Sequence, residues 1–198
     1  EEEIEEVADT LRSGWLTTGP KTARFEADFA GYLGCRHTLA VNSATAGMHL
    51  ALAALDIGPG DEVITTPLTF CATANVVIQV GATPVLADVL ADGNIDPASI
   101  AERITPRTKA LLPVHLAGKP CDMEAIWGLA ARHGLRVIED AAHASETHYR
   151  GWPLAAASAA GQSDAVAFSF YATKNLTTGE GGMVATNTAA LSERMRVL

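Results

Sequence analysis

From His37 onward, short apolar or β-branched runs alternate with stretches that carry a helical pattern, and this alternation constrains the fold more than any other feature. The strand candidates are His37–Asn42, Glu62–Thr66, Thr83–Asp88, Thr108–Val114, Arg136–Glu139, Ala165–Phe170 and Met183–Thr186. Helix patterns fill most of the intervals, as at Ala46–Leu55, Thr69–Val80 and Met123–His133. Two amphipathic helices come first. Ile4, Val7, Ala8 and Leu11 share one face, Phe25, Phe29 and Leu33 another, and a loop rich in glycine and proline, Ser13 to Pro20, lies between. Repeated βα units predict an α/β fold with a mainly parallel sheet of seven strands between helix layers. The near-continuous apolar runs Ala110–Val114 and Ala165–Phe170 suit central strands covered on both faces. The Ala-rich stretch Ala155–Ala160 reads as a loop or short helix. A chain of 198 residues suits one domain that buries roughly 70% of its unfolded surface. Both ends fall inside helical patterns, so these residues are expected to be a piece of something longer.

Composition and motifs remove several function classes. The net charge is −9 and no Lys/Arg cluster exists, which argues against general nucleic-acid binding. Cys35, Cys71 and Cys121 are odd in number and widely spaced, unlike a disulfide framework or a Cys-x-x-Cys metal clip. The longest purely apolar run, Leu50 to Leu55, is far short of the ~20 residues of a membrane span. No signal peptide is visible, and a cytoplasmic setting is expected. No G-x-G-x-x-G follows the first strand, no P-loop or H-E-x-x-H occurs, and Gly161-Gln162-Ser163-Asp164-Ala165 lacks the last glycine of a nucleophile elbow.

Ligands in open parallel sheets bind beyond the carboxyl ends of the strands, and three such junctions carry polar residues. The first, Asn42-Ser43-Ala44-Thr45-Ala46-Gly47, brings small residues to a helix start, where backbone amides can approach an anion. Taken alone, this junction reads first as an ordinary Ser/Thr N-cap. The second ends a strand in Asp140-Ala141-Ala142-His143, a carboxylate suited to a cationic group or simply to a helix cap. The third runs from Ser169 through Lys174 to Gly179-Glu180-Gly181-Gly182. Lys174 is one of only four lysines, and partial desolvation past a buried strand would make its amine a nucleophile; a lysine that reaches water is the plain alternative. Together the junctions supply an anion cradle, a carboxylate and an activated lysine, which is what a pyridoxal phosphate site requires.

Five blocks in order carry a resemblance through almost the whole chain: Gly14 to Pro20, Asn42 to Ala46, Gly60 to Ile64, Glu139 to Ala144 and Ser169 to Asn175. On these the sequence resembles the DegT/StrS-type sugar aminotransferases, fold-type I pyridoxal phosphate enzymes. The resemblance implies that Lys174 is the Schiff-base lysine and the base that moves the substrate proton. Asp140 would pair with the pyridine nitrogen, and His143, where many relatives carry Gln, would lie near the ring hydroxyl. Thr45 and Ala46 would bind the phosphate through hydroxyl and amide, and Ser169 would add a hydroxyl. Phe70 matches the aromatic that stacks on the cofactor ring; its other reading is a core residue of an amphipathic helix.

The implied reaction moves an amino group from glutamate to a nucleotide-linked keto sugar. Ser43 to Met48, Ile104 to Ala110 and Val114 to Gly118 resemble enzymes of UDP-linked 4-keto sugars. The resemblance also implies a homodimer, and a smaller C-terminal domain beyond residues 1–198, which would then be the large cofactor-binding domain cut at both ends. Two alternatives stand beside it. Sugar dehydratases of the same fold replace the lysine with histidine, against which Lys174 speaks. A non-catalytic sensor or scaffold that binds the cofactor is the other.

Overall fold

The computed structural model describes residues 1–157 and 162–198. Helices α1 (Glu2–Ser13) and α2 (Pro20–Leu33) lead into strand β1 (His37–Val41). Then follow α3 (Ala44–Ala54), β2 (Glu62–Thr65), α4 (Ala72–Gln79), β3 (Thr83–Leu86), α5 (Pro97–Arg103), β4 (Thr108–Leu112), α6 (Met123–His133) and β5 (Arg136–Asp140). A two-stranded hairpin of β6 (His148–Tyr149) and β7 (Trp152–Pro153) precedes α7 (Leu154–Ala157), β8 (Ala165–Ser169), β9 (Gly182–Thr186) and α8 (Ala189–Val197). Of the Ala-rich stretch, Ala155 to Ala157 belong to α7 and 158–160 lie outside the described residues.

The main sheet has seven strands in the order β1-β9-β8-β5-β4-β2-β3. The neighbours from β8 through β5, β4 and β2 to β3 are parallel, while β9 runs antiparallel to both β1 and β8. This is the α/β architecture expected from the alternation, and β4 and β8 are interior strands. The antiparallel direction of β9 follows from its connection: only a loop, with no helix between, joins it to β8. A parallel return is usually made through a crossover helix, and the segment 170–181 holds none.

Side-chain alternation sorts the strands onto two cores. Val63, Ala110, Leu112, Ile138, Ala167 and Val184 point to the face covered by α3, α4 and α8. Ile64, Leu111 and Val137 point to the face of α5 and α6. On that second face, Val166, Phe168 and Phe170 meet Phe29 of α2, whose ring stands edge-on to both Phe168 and Phe170 at centroid distances of 5.5 and 5.2 Å. Such edge-to-face geometry adds about 0.5–1.5 kcal/mol per pair beyond burial.

Helix boundaries follow local chemistry. Helix α3 starts two residues before the expected Ala46, because the Ser43 hydroxyl accepts the Ala46 N–H at 3.1 Å and caps it there. Helix α4 is shorter than the expected Thr69–Val80, and Phe70 lies ahead of it, beside the N-cap Cys71. Helix α5 has a strong start signal that the strand–helix reading passed over: Asp96 caps it by accepting the Ala98 N–H at 2.9 Å, and Pro97 takes the first position. No described helix is long and apolar enough to cross a membrane.

Candidate active site

Period-two geometry places the chemistry. Ile138 of β5 packs in the core under α3 and α4, so Asp140, two residues on, faces the same way at the strand's carboxyl end. Ala165 and Ala167 of β8 place Ser169 likewise, and Val184 of β9 places Gly182. The intervening Glu139 faces the other side, where its carboxylate lies 2.8 Å from His115 Nε2, both side chains fully buried. The Cys121 N–H donates to His115 Nδ1 at 3.1 Å, which leaves Nε2 to carry the ring proton toward Glu139. This pair, with the His115 N–H donating to the Asp140 carbonyl at 3.0 Å, ties the segment after β4 to the end of β5.

The start of α3 faces the same edge. The first-turn amides of Ala44 and Thr45 have no intrahelical acceptor, and the helix dipole makes that end favourable for an anion. Gly182 backs it closely. A Cβ there would come within 2.5 to 2.8 Å of the Ser43–Ala44 peptide, so only glycine lets β9 pass this near the helix start.

These elements enclose a cavity of about 550 Å³. Thr45, Phe70, Asp140, His143, Ser169 and Lys174 all line it. Of the residues singled out in the sequence, Ala46 is the one not on its wall, since its N–H is taken by the Ser43 cap. Asp140 is 4% exposed; its Oδ2 accepts from Thr73 Oγ1 at 2.7 Å and its Oδ1 from the Ala142 N–H at 3.1 Å. Lys174 is half-buried in the loop after β8, its N–H donating to the Tyr171 carbonyl at 2.9 Å. His143, open to solvent on one side, is held below the ordinary imidazole range by partial burial and then by the nearby Lys174 charge, with Asp140 opposing. Phe70 is 75% exposed, which excludes the core reading of this ring.

Sequence reasoning passed over Thr69, Thr73, His115, Tyr171 and Glu180, which also line the cavity. The threonines carried a weak signal, two hydroxyls four apart astride Phe70; His115 carried none, because its partner is 24 residues away.

The fold and site together define an α/β domain with a polar-lined cavity at its strand ends, and comparison with known proteins narrows the class. The model of the DegT/DnrJ/EryC1/StrS aminotransferase family matches residues 1–198, and the chain belongs to that family. The spore coat polysaccharide biosynthesis protein SpsC of Bacillus subtilis (strain 168) is 55% identical over 198 residues, covering 100% of this chain and 50% of SpsC. DesV of S. venezuelae superposes with a TM-score of 0.94 at 46% identity, over 100% of this chain and 52% of DesV. DesI, solved in the presence of its TDP-sugar product, gives a TM-score of 0.89 at 42% identity, over 98% of this chain and 48% of DesI. The chain spans about half the length of the curated relatives it matches. Another similar chain, a putative sugar aminotransferase of Streptococcus pneumoniae, has been solved in pyridoxal phosphate and pyridoxamine phosphate forms.

The residues present fit that cofactor: open first-turn amides with the Thr45 and Ser169 hydroxyls for a phosphate, a buried carboxylate for a ring nitrogen, an exposed aromatic for a ring face, and a primary amine for an aldehyde.

Proposed function

We propose that the intact protein is a pyridoxal phosphate-dependent aminotransferase that moves an amino group from glutamate to a nucleotide-linked keto sugar, and that residues 1–198 form its large cofactor-binding domain. One observation carries the reading: Lys174, Asp140, Thr45, Ser169 and Phe70, from four separate stretches of chain, meet on one cavity at the strand ends. Bound pyridoxal phosphate supplies an aldehyde and an electron sink. In this reading the amides of Ala44 and Thr45, with the Thr45 and Ser169 hydroxyls, hold the phosphate. Phe70 covers one ring face and keeps water from it. Asp140 accepts the N–H of the ring nitrogen and keeps that proton in place. Lys174 would hold the cofactor through Nζ, and the same amine would serve as the base that takes and returns the substrate proton.

A TDP-sugar in DesI supports a nucleotide-linked substrate. The narrower choice of a UDP-linked 4-keto sugar rests on the sequence resemblance at Ser43 to Met48, Ile104 to Ala110 and Val114 to Gly118. The reading includes a homodimer in a cytoplasmic setting. The homodimer draws support from helix α1, none of whose residues is buried, and whose Ile4, Val7 and Leu11 are all more than 60% exposed; the cytoplasmic setting rests on the sequence resemblance.

Incubation of the intact protein with glutamate and a nucleotide-linked keto sugar tests the activity. One glutamate consumed per amino sugar formed, with ping-pong kinetics, is the expected result. A deoxy sugar formed without glutamate consumption points to dehydration and overturns it.

A further inference from the structure

The Asp140 carboxylate is held by a hydroxyl that lies outside all three strand-end junctions. Thr73 is fully buried on the first turn of α4, its Oγ1 2.7 Å from Asp140 Oδ2, 2.7 Å from Thr69 Oγ1 and 3.1 Å from the Phe70 carbonyl. A threonine hydroxyl has one proton to give. The Phe70 carbonyl already accepts the Thr73 N–H at 3.1 Å, and a carboxylate is the stronger acceptor. The Thr73 proton therefore goes to Asp140, and Thr69 in turn donates to Thr73. With the Ala142 N–H on Oδ1, each carboxylate oxygen has one protein donor, which fixes the plane of the group and leaves further lone pairs for a partner in the cavity.

We infer that Thr73, backed by Thr69, is a positioning residue that orients Asp140 toward the ring nitrogen of the bound cofactor, through a hydroxyl chain Thr69 to Thr73 to Asp140. The inference rests on the reading of Asp140 given under Proposed function. Thr69 and Thr73 flank Phe70, so the same short segment that presents the stacking ring also aims the carboxylate. Cofactor affinity is thereby coupled to the local structure at the start of α4.

The test uses the intact protein and reads equilibrium affinity for pyridoxal phosphate and pyridoxamine phosphate, by dialysis and cofactor fluorescence, with the thermal midpoint of the cofactor-free protein alongside. Thr73→Val keeps the side-chain shape and removes the donor; affinity for both forms is expected to fall about tenfold or more, the scale of a hydrogen bond to a charged group. Thr73→Ser restores affinity to within about twofold of the original, since the hydroxyl returns. Thr69→Val, at a half-buried site that the core does not depend on, lowers affinity by a smaller factor through Thr73. In an Asp140→Ala background, Thr73→Val has no further effect on affinity. Unchanged affinity in Thr73→Val, failure of Thr73→Ser to restore it, or an equal loss in the Asp140→Ala background overturns the inference. If Asp140→Ala weakens binding while Thr73→Val does not, only the hydroxyl chain fails. If Asp140→Ala also leaves affinity unchanged, the role of Asp140 itself falls.

Discussion

Phe70 presents three-quarters of its surface to solvent, 75%, in a fold whose other phenylalanines pack against one another. Because so little of the ring is buried, Phe70→Ala is expected to leave the urea midpoint of the cofactor-free protein nearly unchanged. It should weaken cofactor binding several-fold, in keeping with about 0.5–1.5 kcal/mol for an aromatic stack. A large loss of stability with unchanged affinity would return Phe70 to a packing role. His143 carries a pH prediction. Burial, then the Lys174 charge, disfavour its protonated form in the folded state, while the unfolded chain protonates near the ordinary value of about 6.5. As pH falls below that value, the unfolded state binds the proton first, so stability is lost between the ordinary value and the lower folded one. Above it the imidazole is neutral in both states and contributes no slope. His143→Gln should flatten this part of the acid limb in urea titrations at pH 7.5 and 5.5. At this scale the site was widely legible, because strand-end residues such as Asp140, Ser169 and Lys174 stand next to unmistakable apolar strands. Thr73 and His115 were not, since their partners lie 67 and 24 residues away and nothing local marks them.

The elements that build the cradle rest on close approach. Gly182→Ala would drive a methyl into the Ser43–Ala44 peptide, and backbone cannot turn aside as a flexible side chain can. The expected cost is about 1–3 kcal/mol in urea unfolding, together with weaker phosphate binding as the start of α3 is displaced. Ser43→Ala removes the cap and should cost about 1 kcal/mol, with little direct change at the other strand ends. Strand existence was legible from apolar runs, whereas direction was not: β9 reads like the other strands, and only the lack of a crossover helix reveals that it turns back. Helix α4 starts later than its sequence pattern suggests because Phe70 continues the apolar period although it stands outside the helix. The β6–β7 hairpin, two residues on each side, is too short to leave a periodic signal.

For the whole molecule, the alternation of strands and helices sufficed to give the layer order, since βα units leave few arrangements open. It could not show which outer faces are covered. Helix α1 is joined to α2 through ion pairs, Lys21 with Glu6 and Asp9 at 2.6 and 2.7 Å and Arg24 with Glu6 at 3.0 Å. Such exposed pairs contribute about 0–1 kcal/mol each, so they do not account for an apolar stripe turned outward. If that stripe meets a second copy, Val7→Lys combined with Leu11→Lys should shift the intact protein from dimer toward monomer in sedimentation, with the secondary structure unchanged by circular dichroism. In the proposed reading Lys174, on the wall of the strand-end cavity, carries the cofactor. Borohydride reduction of the intact protein after incubation with pyridoxal phosphate, followed by peptide mass mapping, tests it most directly. A single stable pyridoxyl adduct is expected on the peptide that contains Lys174, absent in Lys174→Ala. An adduct spread over Lys21, Lys109 and Lys119, or one that persists at full yield in Lys174→Ala, would contradict it.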